Sequence, residues 1–178
     1  VGDRLRADAK ANQDLVLAAA RAAFARDGAD ASLREIAKEA GVGIGTLYRR
    51  FPTREDLVWA VYSGEVDRIC AEAEAPGARL RPWMEDFLGF LAAKRAMADA
   101  LKAVLASDEE QRLAIRARIT GALAALLAAD ASGRDDVAAL DVLMALGGIS
   151  LIAGEPGQRA QAGRLLDLLM DGLRPPPA

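Results

Sequence analysis

With 178 residues, 52% of them hydrophobic, and a net charge of −3, the chain can form one or two compact domains with a real core. One Cys and no His exclude an internal disulfide and an ordinary zinc site, and fit a reducing, cytoplasmic setting. The acidic total hides an asymmetry: residues 1–62 carry ten Lys/Arg against nine Asp/Glu, so the surplus of acid lies beyond them, which points to a local DNA contact and not to general coating of nucleic acid.

Alanine and leucine supply most of the hydrophobic content, and alternating β-branched or aromatic runs are missing, so the expected fold class is all-α. The apolar stretch near 142–154 is too short and too glycine-broken to span a bilayer, and VGDRLRADAK lacks the apolar core of a signal peptide.

In chain order, the first helix is expected from about Asn12 to Arg26, with Leu15, Val16, Ala19, Ala22, Ala23 and Phe24 on a wide apolar arc, stopped by Asp27-Gly28. SLREIAKEAG then predicts a helix of about two turns, opened by a Ser32/Glu35 capping box and closed by a left-handed Gly41. After the turn at 41–43, a third short helix carries Ile44 to about Arg49. Leu47 and Phe51, four apart, face inward and leave Thr46, Tyr48, Arg49 and Arg50 outside. Two short helices joined by a glycine-containing turn are a helix-turn-helix, whose second helix enters the major groove. Gly43 and Gly45 suit backbone that must approach something closely.

Thr53 caps a long helix from Arg54 to about Glu74, roughly 30 Å at about 1.5 Å per residue. Arg54 is out of place there, since a cation opposes the dipole at a helix start unless an anion binds nearby. APGARLRP at 75–82 breaks the pattern. Trp83, Phe87, Phe90 and Leu91, then Met97, Leu101, Val104 and Leu105, define two amphipathic helices. SDEE at 107–110 opens a helix to about Ala129, and a final pair covers roughly Asp135 to Ala153 and Pro156 to Leu173.

Read with SLREIAKEAG before it and PTREDL after it, GVGIGTLYRRF resembles the helix-turn-helix signature of the TetR family of bacterial transcriptional regulators, over about residues 12–62. The resemblance implies an N-terminal arm and helix-turn-helix DNA-binding domain in residues 1–53. It also implies a helical ligand-binding and dimerisation domain in residues 54–178. Carried over position by position, phosphate contacts fall on Thr46, Tyr48, Thr53 and Arg54, with Arg34 nearby, and base-edge contacts on Ile44, Gly45 and Arg49. Arg50 is a further candidate, and Arg4, Arg6 and Lys10 form an arm able to reach phosphate or the adjacent minor groove. Two positions depart from the family pattern: Gly43 stands where Ser is common, and Ile44, where a polar or basic residue is common, suits a thymine methyl and not a guanine edge.

All eight aromatics lie before residue 91, so the later helices pack through small and aliphatic side chains, which favours an apolar cavity. Candidates for lining it are Trp83, Phe87, Phe90, Met97, Leu101, Thr120 and Met144. The plain alternative is that the aromatic stripe is core and that Thr120 bonds back to its own helix. The last two helices are apolar over more than one face, which points to a two-fold four-helix interface through Leu143, Gly147, Ile149, Leu165, Leu169 and Leu173. A single-chain core with a kink at Gly147-Gly148 is the other reading.

The function expected is a homodimeric regulator, a repressor of a palindromic operator released by a small apolar effector, with double-stranded DNA as partner and no cofactor. The alternative keeps the fold but makes the protein constitutive or gated by a protein partner. An enzyme finds no support, with no His, no paired carboxylates and no nucleophile beside a base.

Overall fold

The computed structural model describes residues 2–106, 109–130, 134, 136–154 and 156–174. Within these, side chains are described from Lys10 onward except at 29, 103, 106 and 156. Every regular element among them is helical: α1 Gly2–Asp27, α2 Leu33–Glu39, α3 Ile44–Arg50, α4 Arg54–Glu74, α5 Leu80–Ala96, α6 Ala98–Ala106, α7 Glu109–Ala129, α8 Ala139–Ala153 and α9 Arg159–Gly172, with 3-10 turns at Gly28–Asp30 and Pro156–Gln158. No helix among the described residues is long and apolar enough to cross a membrane.

The expected boundaries hold for α2, α3, α4 and α7, and α1 is the main exception. It begins ten residues before Asn12, so the segment expected as an arm is helical. The physical reason is propensity: DRLRADAKANQ contains strong helix formers and no Gly or Pro, but no apolar stripe to reveal its period. The apolar arc of α1 is also narrower than expected. Val16, Ala20, Ala23 and Phe24 are buried, while Leu15 and Ala22 face solvent. At the other end of the chain α8 starts at Ala139, not Asp135. The expected capping box at Ser107 lies outside the described residues.

The chain divides into two compact units, residues 1–64 with 93–108, and residues 65–92 with 109–178. The first division therefore falls inside α4, where no loop marks it. The resemblance implies a boundary before Arg54; the start of α4 buries Leu57, Val58 and Val61.

In the first unit the turns are held by local bonds. Ser32 Oγ accepts from the Glu35 amide at 3.5 Å. At the end of α2, the Val42 amide donates to the Ala37 carbonyl and the Gly41 amide to the Lys38 carbonyl, at 3.0 and 3.1 Å. With Gly41 at φ +70, this is a Schellman closure. Thr53 and Asp56 cap α4 reciprocally: Thr53 Oγ1 accepts from the Asp56 amide at 3.1 Å, and Asp56 Oδ2 accepts from the Thr53 amide at 3.0 Å. The 3-10 turn after α1 packs on α6, and Gly28, at φ +57, sits where a Cβ would come within 3.2 Å of the Ala96 carbonyl oxygen.

In the second unit, α5 contributes the aromatic stripe. Trp83 stacks on Phe87 with centroids 5.1 Å apart, Phe87 on Phe90 at 5.5 Å, and the Trp83 indole donates to the Ile69 carbonyl at 2.9 Å. All three rings are buried, so each pair adds about 0.5–1.5 kcal/mol to the burial of its area. Arg81 links α5 to α9 through Asp167 at 2.9 Å. Helix α8 packs on both α7 and α9.

Candidate nucleic-acid interface

The only buried side chain of α3 is Leu47, which with Phe51 anchors the helix to the first unit. That single anchor sets the rotation of everything else. Ile44, Gly45, Thr46, Tyr48, Arg49 and Arg50 are all exposed, a mixed face of one aliphatic, one hydroxyl, one phenol and two guanidinium groups. Arg49 Nη2 donates to Thr46 Oγ1 at 3.1 Å, so these two side chains share one turn of the surface. Both arginines stand in the last turn, where a cation suits the helix dipole.

Neither Gly43 nor Gly45 is required by the chain itself. Gly43 lies in the extended region at φ −68, and a Cβ at Gly45 would meet nothing within 4 Å. The space in front of Gly45 is open, which is the condition for another surface to come close to the backbone.

The other expected contact residues are placed as follows. Arg34 is exposed on α2 and Lys10 on α1. Arg4 and Arg6 belong to the first turns of α1, with side chains outside the described residues. The Thr53 hydroxyl is exposed but donates to Asp56 Oδ2 at 2.7 Å as part of the cap. Arg54 is half-buried: its Nη2 donates to the Ala31 carbonyl, its guanidinium lies 5.8 Å above the Phe24 ring, and its Nη1 is buried without a hydrogen-bond partner. It ties the start of α4 to the end of α1 and the approach to α2. Arg50 reaches the other way, its Nε and Nη2 donating to Gln13 Oε1 on α1 at 3.0 and 2.7 Å. Nothing in the sequence singles out Gln13, which follows Asn12 in a polar stretch that carries no pattern.

The expected pocket residues divide between the units. Met97 and Leu101 are buried in the first, and Trp83, Phe87 and Phe90 in the second. Thr120 donates back to the Arg116 carbonyl at 2.7 Å, and Met144 lies on the surface, its sulfur 3.7 Å from Arg116 Nη2. A cleft of ≈ 500 Å³ in the second unit is lined by other residues, among them Arg79, Pro82, Leu126 and Met170.

Of the expected interface residues, Ile149 and Leu173 are buried, while Leu143, Gly147, Leu165 and Leu169 are half-buried. The apolar side chains left open on α8 and α9 are Leu140, Met144, Leu151, Ile152 and Leu168, from 43 to 77% exposed. Among the described residues no group of His, Cys, Asp and Glu is arranged to hold a metal ion.

A trihelical head with an outward second helix of a helix-turn-helix, followed by an all-helical second unit, defines a DNA-binding regulator of the helix-turn-helix class. Comparison with known proteins narrows this. The family model described as bacterial regulatory proteins of the tetR family matches residues 16–61, and that of the SbtR-like transcriptional regulator C-terminal domain matches residues 75–175. The TetR transcriptional regulator SCO0520 of Streptomyces coelicolor is 47% identical, with a TM-score of 0.82 over 92% of this chain and 99% of that one. A TetR regulatory protein of Mycobacterium vanbaalenii is 33% identical, with a TM-score of 0.73 over 96% and 99%. The multidrug binding protein EbrR, solved in complex with imidazole, is 25% identical with a TM-score of 0.50 over 93% and 91%. An HTH-type transcriptional regulator of Staphylococcus aureus is 39% identical over 64 residues, so the chain spans 35% of the length of that curated relative. The chain belongs to the TetR family of DNA-binding transcriptional regulators, and its relatives are transcription factors, not enzymes.

Proposed function

We propose that this chain acts as a homodimeric repressor that grips a palindromic operator and releases it when a small apolar effector binds. The observation that carries the DNA half is the exposed face of α3, set outward by Leu47 and fronted by open space at Gly45. On this reading Ile44, Gly45 and Arg49 meet base edges, with Ile44 suited to a thymine methyl. Thr46 and Tyr48 hydrogen-bond phosphate, and Arg34 and the arginines of the first helical turns add charge. Thr53 and Arg54 contribute through the start of α4, Thr53 as its cap and Arg54 as the cation holding it in place.

Support for a second copy comes from the apolar face on α8 and α9. Leu140, Met144, Gly147 and Leu151 follow at intervals of three or four and share one side of α8, and Leu165 and Leu168 lie together on α9. Ile149 and Leu173 are buried in their own chain. Two heads related by a two-fold axis present α3 to half-sites about 34 Å apart, or a multiple of that.

The small-ligand part of the reading draws on EbrR, a multidrug binding protein of related fold. Release needs only that the effector prefer the DNA-incompetent arrangement, and a thousandfold loss of operator affinity corresponds to about 4 kcal/mol of preference. One observation favours the second reading, in which the fold works without a small ligand: Trp83, Phe87 and Phe90 are stacked on each other and buried, as core side chains are.

The test is binding of the intact protein to duplexes selected from a random library, repeated with hydrophobic compounds added. Selection of an inverted repeat whose complex dissociates with one of them supports the full reading. Selection with no compound effect leaves the ligand-free form. No selection at all rejects both.

A further inference from the structure

The bond between α1 and the end of α3 carries more than packing. Arginine is a pure donor, so only the carbonyl oxygen of Gln13 can face Arg50, and both lone pairs of Gln13 Oε1 are taken by Nε at 3.0 Å and Nη2 at 2.7 Å. This fork fixes the amide and leaves its nitrogen, with two N–H donors, directed away from the guanidinium. Gln13 is half-buried on α1, and Lys10, three residues earlier and on the same side of the helix, is exposed. The oriented amide is thus bonded to the last turn of α3 and a cation stands one helical turn away from it on α1, a pair of groups that suits successive acceptors on a phosphate backbone.

We propose that Gln13 is a DNA-backbone contact held in its donating orientation by Arg50, and that with Lys10 it extends the interface from α3 onto α1. Arg50 is then a positioning residue that acts through Gln13, with Lys10 supplying the charge. The proposal rests on the DNA-binding reading of the α3 face.

The experiment measures fluorescence anisotropy of a labelled duplex, recovered by selection with the unaltered protein, against Q13A, Q13E, R50A, Q13A/R50A, K10A and Y48A, with a thermal melt of each. Q13A and R50A are expected to weaken binding by similar factors, roughly five- to tenfold, and the double variant by no more than either, because one contact is lost in all three. Q13A should leave the slope of log affinity against log salt unchanged, while K10A lowers it by about 0.9. Q13E tests whether the position faces the backbone: its carboxylate accepts the same fork from Arg50, so the melt holds or rises, yet it removes the donors and adds a charge that repels phosphate, so binding weakens more than in Q13A. Wild-type affinity in Q13E, or a silent Q13A beside an R50A that lowers the salt slope, would overturn the proposal. If Y48A also binds like the unaltered protein, the DNA reading itself has failed. If Y48A alone weakens binding, only the role of Gln13 falls.

Discussion

Gly28, Gly41 and Gly45 differ in what an added methyl group would meet. Gly41 needs its left-handed φ of +70 but has open space, so Gly41→Ala should cost about 1–2 kcal/mol of stability. Gly28 combines φ +57 with an Ala96 carbonyl 3.2 Å from the built Cβ, so Gly28→Ala should be the more damaging of the two. Gly45→Ala carries neither penalty and should raise stability by up to about 0.5–1 kcal/mol, since glycine is the poorer helix former. If a duplex lies against that backbone, the same methyl weakens DNA binding by about tenfold or more, near 1.4 kcal/mol. A melt and a titration on one variant therefore move in opposite directions; a tighter fold with unchanged DNA affinity would place the duplex elsewhere. Cys70 provides a separate check at this scale. Burial pushes its thiol above the ordinary range, so the native protein should resist iodoacetamide at pH 8 and label only on unfolding, as read by mass spectrometry.

The start of α4 joins a cap to a tether. Thr53 and Asp56 satisfy the helix end, and Arg54 adds its bond to Ala31 and its place over Phe24. Arg54→Ala removes a charge-assisted bond worth about 1.5–3 kcal/mol, so the melting temperature should fall by several degrees. Arg54→Lys should not restore it, because an ammonium lacks the planar fork that reaches a carbonyl while lying over a ring. A melt unchanged in the alanine variant would mean the tether contributes nothing. The limits of α4 were legible because both ends carry local chemistry, a threonine cap before and Ala75-Pro76-Gly77 after. The outward face of α3 was legible for the same kind of reason, with Leu47 and Phe51 four apart and polar groups between. The beginning of α1 was not, because a polar alanine-rich segment has propensity but no period. The engagements of Arg54 with Ala31 and of Arg50 with Gln13 are 23 and 37 residues apart in the chain, beyond what local pattern encodes. Helix α8 is apolar on nearly every side, so spacing alone did not separate Ile149, buried in its own chain, from Met144 on the surface.

Across the whole molecule, the proposed dimer on DNA rests on the open apolar face and the outward head. Leu151 and Leu168 are 77 and 68% exposed, so neither supports its own chain's core, and Leu151→Glu with Leu168→Glu should leave the helical content intact while shifting the protein to monomer by light scattering. A native protein already monomeric at micromolar concentration would remove the need for that face to be covered by a second copy. Loss of the dimer should also abolish tight operator binding, since each head then meets its half-site alone. Whether α3 reads DNA is decided by selecting duplexes from a random library with the intact protein and sequencing what is retained. The expected outcome is an inverted repeat with half-sites about one helical turn apart, or a multiple of it, and loss of that enrichment in Tyr48→Ala. Retention of no preferred sequence, or the same repeat enriched equally by Tyr48→Ala and Arg49→Ala, would contradict it.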